Sequence, residues 1–282
     1  MEVVTKIAPI ALALIMLGLG MGLTTKDFLR VLNNPRDFVI GFICQLIILP
    51  IIAYVLILLL NTPIELALGV MIIAAAPGGV TTNVLTKFAN GDVALSISLT
   101  AVISLISILS VPFIVFQSAE LLGITNISEN ITMTGIALKM SLVVTIPVII
   151  GMIIRRFAEN FISSNISIIE KFTGFLFIIV FAAVWIEERE NIVSYLAQAG
   201  FVVLTLNIVM MILAYIIAKY FASGTKQRKC IAIECGLQNG TLAIFVATQI
   251  FNEVIYMVPT AAYALIMYIT AFIFIFILRK SI

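Results

Sequence analysis

The sequence predicts an all-α polytopic membrane protein of nine transmembrane helices, and three observations carry that prediction. Apolar residues make up 62% of the chain and charged residues 11%, whereas a soluble domain is about half apolar and a quarter charged. The apolar residues lie in stretches long enough to cross a hydrocarbon core, which takes about 20 helical residues; membrane barrel strands would instead alternate over about ten. Lysine and arginine fall mostly on alternate connections, as cytoplasmic loops require.

Taken in order, the first stretch, 7–23, follows Glu2 and precedes the polar run Thr24 to Arg30 with no small-residue cleavage site. It therefore reads as a retained helix, not a secretory signal. The second, 38–60, contains one isolated amide, Gln45, suited either to gluing helices together or to binding a ligand. The third, 64–88, is interrupted by Pro77, Gly78, Gly79, Val80, Thr81, Thr82 and Asn83. The fourth, 93–116, repeats Ser96, Thr100 and Ser104 on one helical face, a pattern shared by packing faces of small residues and ligand rows. Stretches 133–154, 166–185 and 192–221 carry no comparable break. The eighth, 230–250, is interrupted at Glu234, Cys235, Gly236, Leu237, Gln238, Asn239 and Gly240, and the ninth covers 254–278. The three cysteines, Cys44, Cys230 and Cys235, lie in or beside apolar stretches and read as buried thiols.

Nine spans with the N terminus outside and the C terminus cytoplasmic place most cations on one side. The inner side takes Lys26, Arg30, Arg36, Lys87, Arg155, Arg156, Lys171, Lys219, Lys226, Arg228, Lys229, Arg279 and Lys280. The outer side takes Lys6 and Arg189, with Lys139 in the outer part of a span. The net charge of +2 thus reflects topology, and nothing in it calls for nucleic acid. Every connection is short, so residues 1–282 form one membrane domain with no sign of an obligate protein partner. A broken helix followed by a full one occurs at 64–116 and again at 230–278, the layout of inverted repeats, in which paired breaks point to a mid-bilayer binding site of a transporter.

The chemistry lies at those breaks. Pro77 and the two glycines after it cannot continue a helix cheaply, so their backbone groups must line a cavity or pack on protein. A simple proline kink is the alternative, but Thr81, Thr82 and Asn83 add polar side chains at the same level. Glu234 lies inside a span, where an ionised carboxylate costs about 3 kcal/mol or more. The chain has no histidine, and its nearby lysines can snorkel to helix ends. A cation or a proton is left as partner, unless Glu234 is structural and bonded to a neighbouring helix. Gln238 falls one turn further on the same face. Oxygen donors with one carboxylate suit a hard monovalent ion better than calcium, so sodium is expected, with a proton on Glu234 as the rival.

At three places the chain resembles the bile acid:sodium symporters with their bacterial and plastid relatives: GLGMGLTTKDF at 18–28, APGGVTTNVLTKFANGDVALSISLTAVISL at 76–105 and ECGLQNGTLA at 234–243. The resemblance covers nearly the whole chain and matches a nine-helix form. It implies a panel domain, including parts of 7–23 and 133–185, and a core domain, including parts of 38–116 and 192–282, in which two discontinuous helices cross. It implies two sodium ions, transported and not permanently held. Thr82, Asn83, Ser96, Thr100 and Glu234 would form the first site. Gln45, Glu234, Gln238 and the carbonyls of Cys235 and Leu237 would form the second. Gly79, Val80, Thr81, Asn239 and Thr270 would face the substrate. Relatives have polar side chains just after the PGG turn and in the last helix, where this chain has Val80 and, near the second place, Thr270 with Ala271, so the expected substrate is bile acid-like or, ahead of that, a smaller carboxylate such as pantoate or a 2-oxo acid.

The expected function is therefore sodium-coupled symport of an organic anion by alternating access, in the inner membrane of a bacterium. A proton-coupled carrier or exporter of the same fold is the alternative, and a channel or scaffold a third. Within the spans there is no acid/base pair, nucleophile triad or cofactor loop, which argues against an enzyme.

Overall fold

The computed structural model describes residues 2–33, 35–124, 130–187 and 192–280. They form helices α1 (Glu2–Gly22), α2 (Thr25–Asn33), α3 (Pro35–Leu59), α4 (Ile64–Ala75), α5 (Val80–Phe88), α6 (Val93–Leu121), α7 (Met133–Phe157), α8 (Glu159–Glu187), α9 (Ile192–Phe221), α10 (Thr225–Gly236), α11 (Gly240–Ile250) and α12 (Val258–Lys280), the last preceded by a 3₁₀ turn at Val254–Met257. No strand occurs among the described residues. Among the described residues eight helical segments are long and apolar enough to cross a membrane, and the count reaches nine when α4 and α5, bent by 69° at their break, are taken as one span.

The elements begin and end where local chemistry dictates. Extended backbone at Ala76 and Gly79 separates α4 from α5, because Pro77 has no N–H to continue the ladder. Leu237 is likewise extended after α10, and the Asn239 side chain caps α11 by accepting from the Leu242 amide at 3.0 Å. The run after α1, expected as a plain connection, forms helix α2, started by Asp27 Oδ2, which accepts from the Thr24 amide and hydroxyl, each at 2.7 Å. Helix α8 starts seven residues before the apolar stretch at 166, since helical hydrogen bonding continues past the hydrocarbon. Lys171 consequently sits well inside that helix and not near its end.

Two π turns, at Cys44–Ile48 in α3 and Ser141–Thr145 in α7, each precede a proline, Pro50 and Pro147. The Leu49 amide reaches back to Cys44 O and the Ile146 amide to Ser141 O. A proline ring clashes with the carbonyl four residues before it, and widening the turn relieves the clash.

Helix ends gather at one end of the bundle. Arg155 Nη1 donates to Met21 O at 3.1 Å and Arg36 Nε to Phe221 O at 2.6 Å, so arginines cap the last carbonyls of α1 and α9. Asp37 accepts from the Ser223 amide at 2.7 Å and its hydroxyl at 2.5 Å, and Asp92 accepts from Gln227 Nε2 at 2.8 Å. These bonds place the cation-rich connections together, as the charge alternation predicts.

The broken helices occupy the centre. In its most apolar window the Thr225–Ile250 segment is wholly buried, whereas only 11% of the corresponding window of α8 is buried. Helix α4 packs on α11 and α5 on α10, so each half of one broken helix faces the opposite half of the other.

Candidate functional site

The two breaks meet backbone to backbone: the Asn239 amide donates to Pro77 O at 2.7 Å. Around that junction two oxygen clusters share Glu234, whose residue is 1% exposed.

In the first cluster, helix α6 presents Ser96 and Thr100 to α5 and α10. Ser96 Oγ contacts Glu234 Oε1 and lies 2.8 Å from Asn83 Oδ1. Thr100 Oγ1 faces both Glu234 oxygens, at 3.3 and 3.2 Å, and Thr82 Oγ1 at 3.2 Å. Thr82 Oγ1 also lies 2.7 Å from Gly79 O. Thr82, Ser96 and Thr100 are buried and bring one hydroxyl proton each. The Ser96 proton has two claimants, and so does that of Thr82. Three hydroxyls and the Asn83 amide thus converge on a buried carboxylate that no lysine or arginine pairs with among the described residues, an oxygen-rich arrangement that a bound cation would neutralise.

The second cluster is built of amides. With its nitrogen donating to Glu234 O at 2.8 Å, the Gln45 carboxamide turns its oxygen to the Gly78 amide at 3.1 Å. That same oxygen then lies against one end of the Gln238 carboxamide at 2.8 Å, while the other end of Gln238 lies 3.1 Å from Cys235 O. Gln238 has one nitrogen end, so it can donate to Gln45 or to Cys235 but not to both. Either orientation leaves two oxygens facing each other at hydrogen-bond distance, with no lysine or arginine bonded there among the described residues. The π turn in α3 carries Gln45 to this point, a use typical of such turns at functional sites.

Next to the clusters lies a cavity of about 100 Å³ lined by the Gly78–Thr81 and Gln238–Thr241 segments, Ile15 and Met16 of α1, one face of α8 and Tyr268 of α12. The α8 face consists of Glu170, Thr173, Gly174 and Phe177, spaced as helical neighbours. Tyr268 OH bonds Thr81 Oγ1 at 3.3 Å, and its ring meets Phe177 edge-on with centroids 6.4 Å apart. Glu170 is the one charged side chain among the described lining residues. The starts of α5 and α11 both open on the cavity, and helix N-termini favour an anion.

The sequence-predicted residues thus divide. Thr82, Asn83, Ser96, Thr100 and Glu234 come together, as do Gln45, Gln238 and the Cys235 carbonyl; Leu237 is buried in the same break. Gly79, Val80, Thr81 and Asn239 line the cavity. Thr270 does not: it is absent from the cavity lining, and its hydroxyl lies 2.5 Å from Asn207 Oδ1. Tyr268, two residues earlier and about 200° round the helix, takes the cavity position. Sequence reasoning passed over Tyr268, Phe177 and Glu170, although the four-residue α8 face would have pointed to the last two.

Paired breaks around a buried carboxylate, among eight apolar spans and a bent ninth in the described residues, are the architecture of a multi-pass membrane transport protein. The particular kind follows from comparison: residues 9–195 match the model of the Sodium Bile acid symporter family, and the chain belongs to that family. Its members are transporters, and it is not an enzyme. Among its relatives, an uncharacterized sodium-dependent transporter YocS of Bacillus subtilis is 29% identical over 90% of this chain and 77% of its own length. A probable chloroplastic sodium/metabolite cotransporter, BASS2, of Oryza sativa subsp. japonica is 28% identical over 91% of this chain and 60% of its own. The human ileal sodium/bile acid cotransporter is 32% identical over 39% of this chain and 32% of its own. The chain spans less than two thirds of the length of the rice relative.

Proposed function

We propose that the protein is a sodium-coupled symporter of a small organic anion, carrying two sodium ions with each substrate. The observation that carries the reading is the convergence of two sets of oxygen atoms on the buried Glu234, the glutamine set with an oxygen–oxygen contact that no amide orientation removes. Sodium would be held first by Thr82, Asn83, Ser96, Thr100 and Glu234, and second by Gln45, Glu234, Gln238 and the carbonyls of Cys235 and Leu237. Ion and substrate are both cargo, and sharing one carboxylate would make the two ions bind interdependently.

The substrate would occupy the cavity beside Gly79, Val80, Thr81 and Asn239, its carboxylate at the helix starts. A volume of about 100 Å³ is well below the several hundred typical of drug-sized ligand sites. It suits pantoate or a 2-oxo acid better than a bile acid. Alternating access would move a core of the broken helices against a panel built on α1, α7 and α8, the two halves being inverted repeats. The charge alternation supports an N terminus outside and a C terminus inside a bacterial cell membrane.

The test is thermal stabilisation of purified protein by a panel of carboxylates, each in sodium and in potassium, because a ligand that binds only the folded state raises stability by mass action. Sodium-specific stabilisation by one small carboxylate is expected. Stabilisation equal in both salts and dependent on pH would shift the assignment to a proton-coupled carrier.

A further inference from the structure

Bonded to the break beside the second oxygen cluster, and outside the cavity lining, is a polar network of Asn207, Tyr263 and Thr270, of which only Thr270 entered the family resemblance, and there in another role. Asn207 of α9 and Tyr263 of α12 are both 0% exposed. Asn207 Nδ2 donates to Gly236 O at 2.6 Å and lies 3.1 Å from Tyr263 OH, which itself donates to Gly236 O at 3.0 Å. Thr270 completes the network: its hydroxyl lies 2.5 Å from Asn207 Oδ1 and 3.0 and 3.1 Å from the Ile266 and Met267 carbonyls of its own helix, and together with the Gly236 carbonyl on the nitrogen end it sets how the Asn207 amide faces the break.

Gly236 ends α10, so its carbonyl has lost the amide that a continuing helix would offer. Two side-chain donors from two other helices replace it. The neighbouring carbonyls of the break face the glutamine cluster: Glu234 O lies 2.8 Å from the Gln45 amide and Cys235 O 3.1 Å from that of Gln238. Leu237 is extended, with φ −116° and ψ 121°, and in extended backbone successive carbonyls point in opposite directions. Anchoring the Gly236 oxygen toward Asn207 and Tyr263 therefore turns the Leu237 oxygen the other way.

We infer that Asn207, Tyr263 and Thr270 are positioning residues for the second sodium site: by holding the Gly236 carbonyl they set the direction of the Leu237 carbonyl and the pitch of the turn that carries Glu234 and Gln238. The inference rests on the sodium reading above. It also gives Thr270 a role distinct from the substrate contact that its place in the sequence suggests. These residues touch neither ion nor substrate, so their effect is on affinity for sodium and passes through backbone geometry.

The test is the sodium concentration that half-maximally raises the melting temperature of the full-length protein, at constant ionic strength with potassium as replacement. Tyr263→Phe keeps the ring and removes one donor; Thr270→Val keeps shape and frees the Asn207 amide to turn. Each is expected to raise the half-saturating sodium concentration about fivefold, the equivalent of one net hydrogen bond, while Thr270→Ser restores the parent value. Thr205→Val loses a hydroxyl of the same helix as Asn207 that bonds Phe201 O at 2.8 Å, outside both clusters and the cavity, and is expected to leave sodium affinity unchanged. Lower melting temperatures with unaltered sodium midpoints in both Tyr263→Phe and Thr270→Val would overturn the inference alone. A parent protein indifferent to sodium would overturn the transport reading with it. Thr270 is partly exposed, so its variants keep the test available even if Tyr263→Phe fails to fold.

Discussion

Gly78 lies directly beneath the Glu234 carboxylate: a methyl group added at Gly78 would stand 2.6 Å from Glu234 Oε2. The relation ties the two breaks together through a side chain as well as through the Asn239 to Pro77 backbone bond. It also separates two glycines that look alike in the sequence. A methyl group at Gly79 would meet nothing closer than Thr81 Oγ1 at 3.8 Å. Gly78→Ala is therefore expected to abolish sodium-dependent stabilisation. Gly79→Val, projecting into the cavity, is expected to remove stabilisation by substrate and leave most of that by sodium. Equal loss of both responses in both variants, measured by the same melting assay, would mean that either change simply collapses the break.

Glu234→Gln keeps size and removes charge. Both oxygen clusters contain this residue, so sodium affinity should fall at least tenfold and with no residual high-affinity phase. Stability without sodium should hold or rise by about 1 kcal/mol, because the variant no longer buries a charge. If sodium stabilises the variant as well as the parent, the carboxylate is structural.

The serine and threonine row of α6 gives a graded series. Ser96 and Thr100 touch Glu234, whereas the buried Ser104 hydroxyl has no hydrogen-bond partner. Ser96→Ala and Thr100→Ala should each weaken sodium binding several-fold. Ser104→Ala should leave it unchanged and hold or raise stability, since an unpaired buried hydroxyl costs about 1–3 kcal/mol. Uniform, sodium-independent losses across the three would indicate a packing face.

Much of this site is legible in the sequence because a membrane leaves few reasons for polar residues. Pro77 with two glycines, and Glu234 four residues before Gln238, have no cheap place in hydrocarbon, so their positions announce the breaks. The π turn that delivers Gln45 is less visible, since it depends on how the chain relieves the Pro50 ring. Tyr268 and Phe177 are hidden for the opposite reason: aromatic residues are ordinary in apolar spans, and only rotation about the helix axis decides which of them meets a cavity. The same rotation separates Thr270 from Tyr268. Asn207 was passed over as one amide in a long unbroken stretch, and its partner, a backbone carbonyl, leaves no mark in any sequence.

Glu170 poses an electrostatic question, for it faces a cavity that lacks lysine and arginine among its described lining residues. A carboxylate there opposes a bound anion, and its exposed side chain can swing away from the bound group. Glu170→Gln should then tighten binding of a monoanionic substrate about two- to fivefold, read as the half-saturating concentration for stabilisation in sodium. Loss of binding in the variant would instead show that Glu170 contacts a cationic group on the substrate, and would redefine the substrate as a zwitterion.

The stoichiometry itself can be read electrically. Two sodium ions entering with a monovalent anion move one net positive charge, and a charge crossing 100 mV is worth about 2.3 kcal/mol. That amount supports a substrate gradient of roughly fiftyfold per 100 mV, with the sodium gradient adding to it. Proteoliposomes with an inside-negative potential should accumulate substrate faster than unpolarised ones, and only when sodium is outside. The Glu234→Gln protein should lose both dependences together, because both ions share that residue. Uptake that follows sodium but ignores potential would mean one ion per anion or a doubly charged substrate. Uptake that follows a proton gradient without sodium would replace the coupling ion while leaving the breaks, the cavity and the family unchanged.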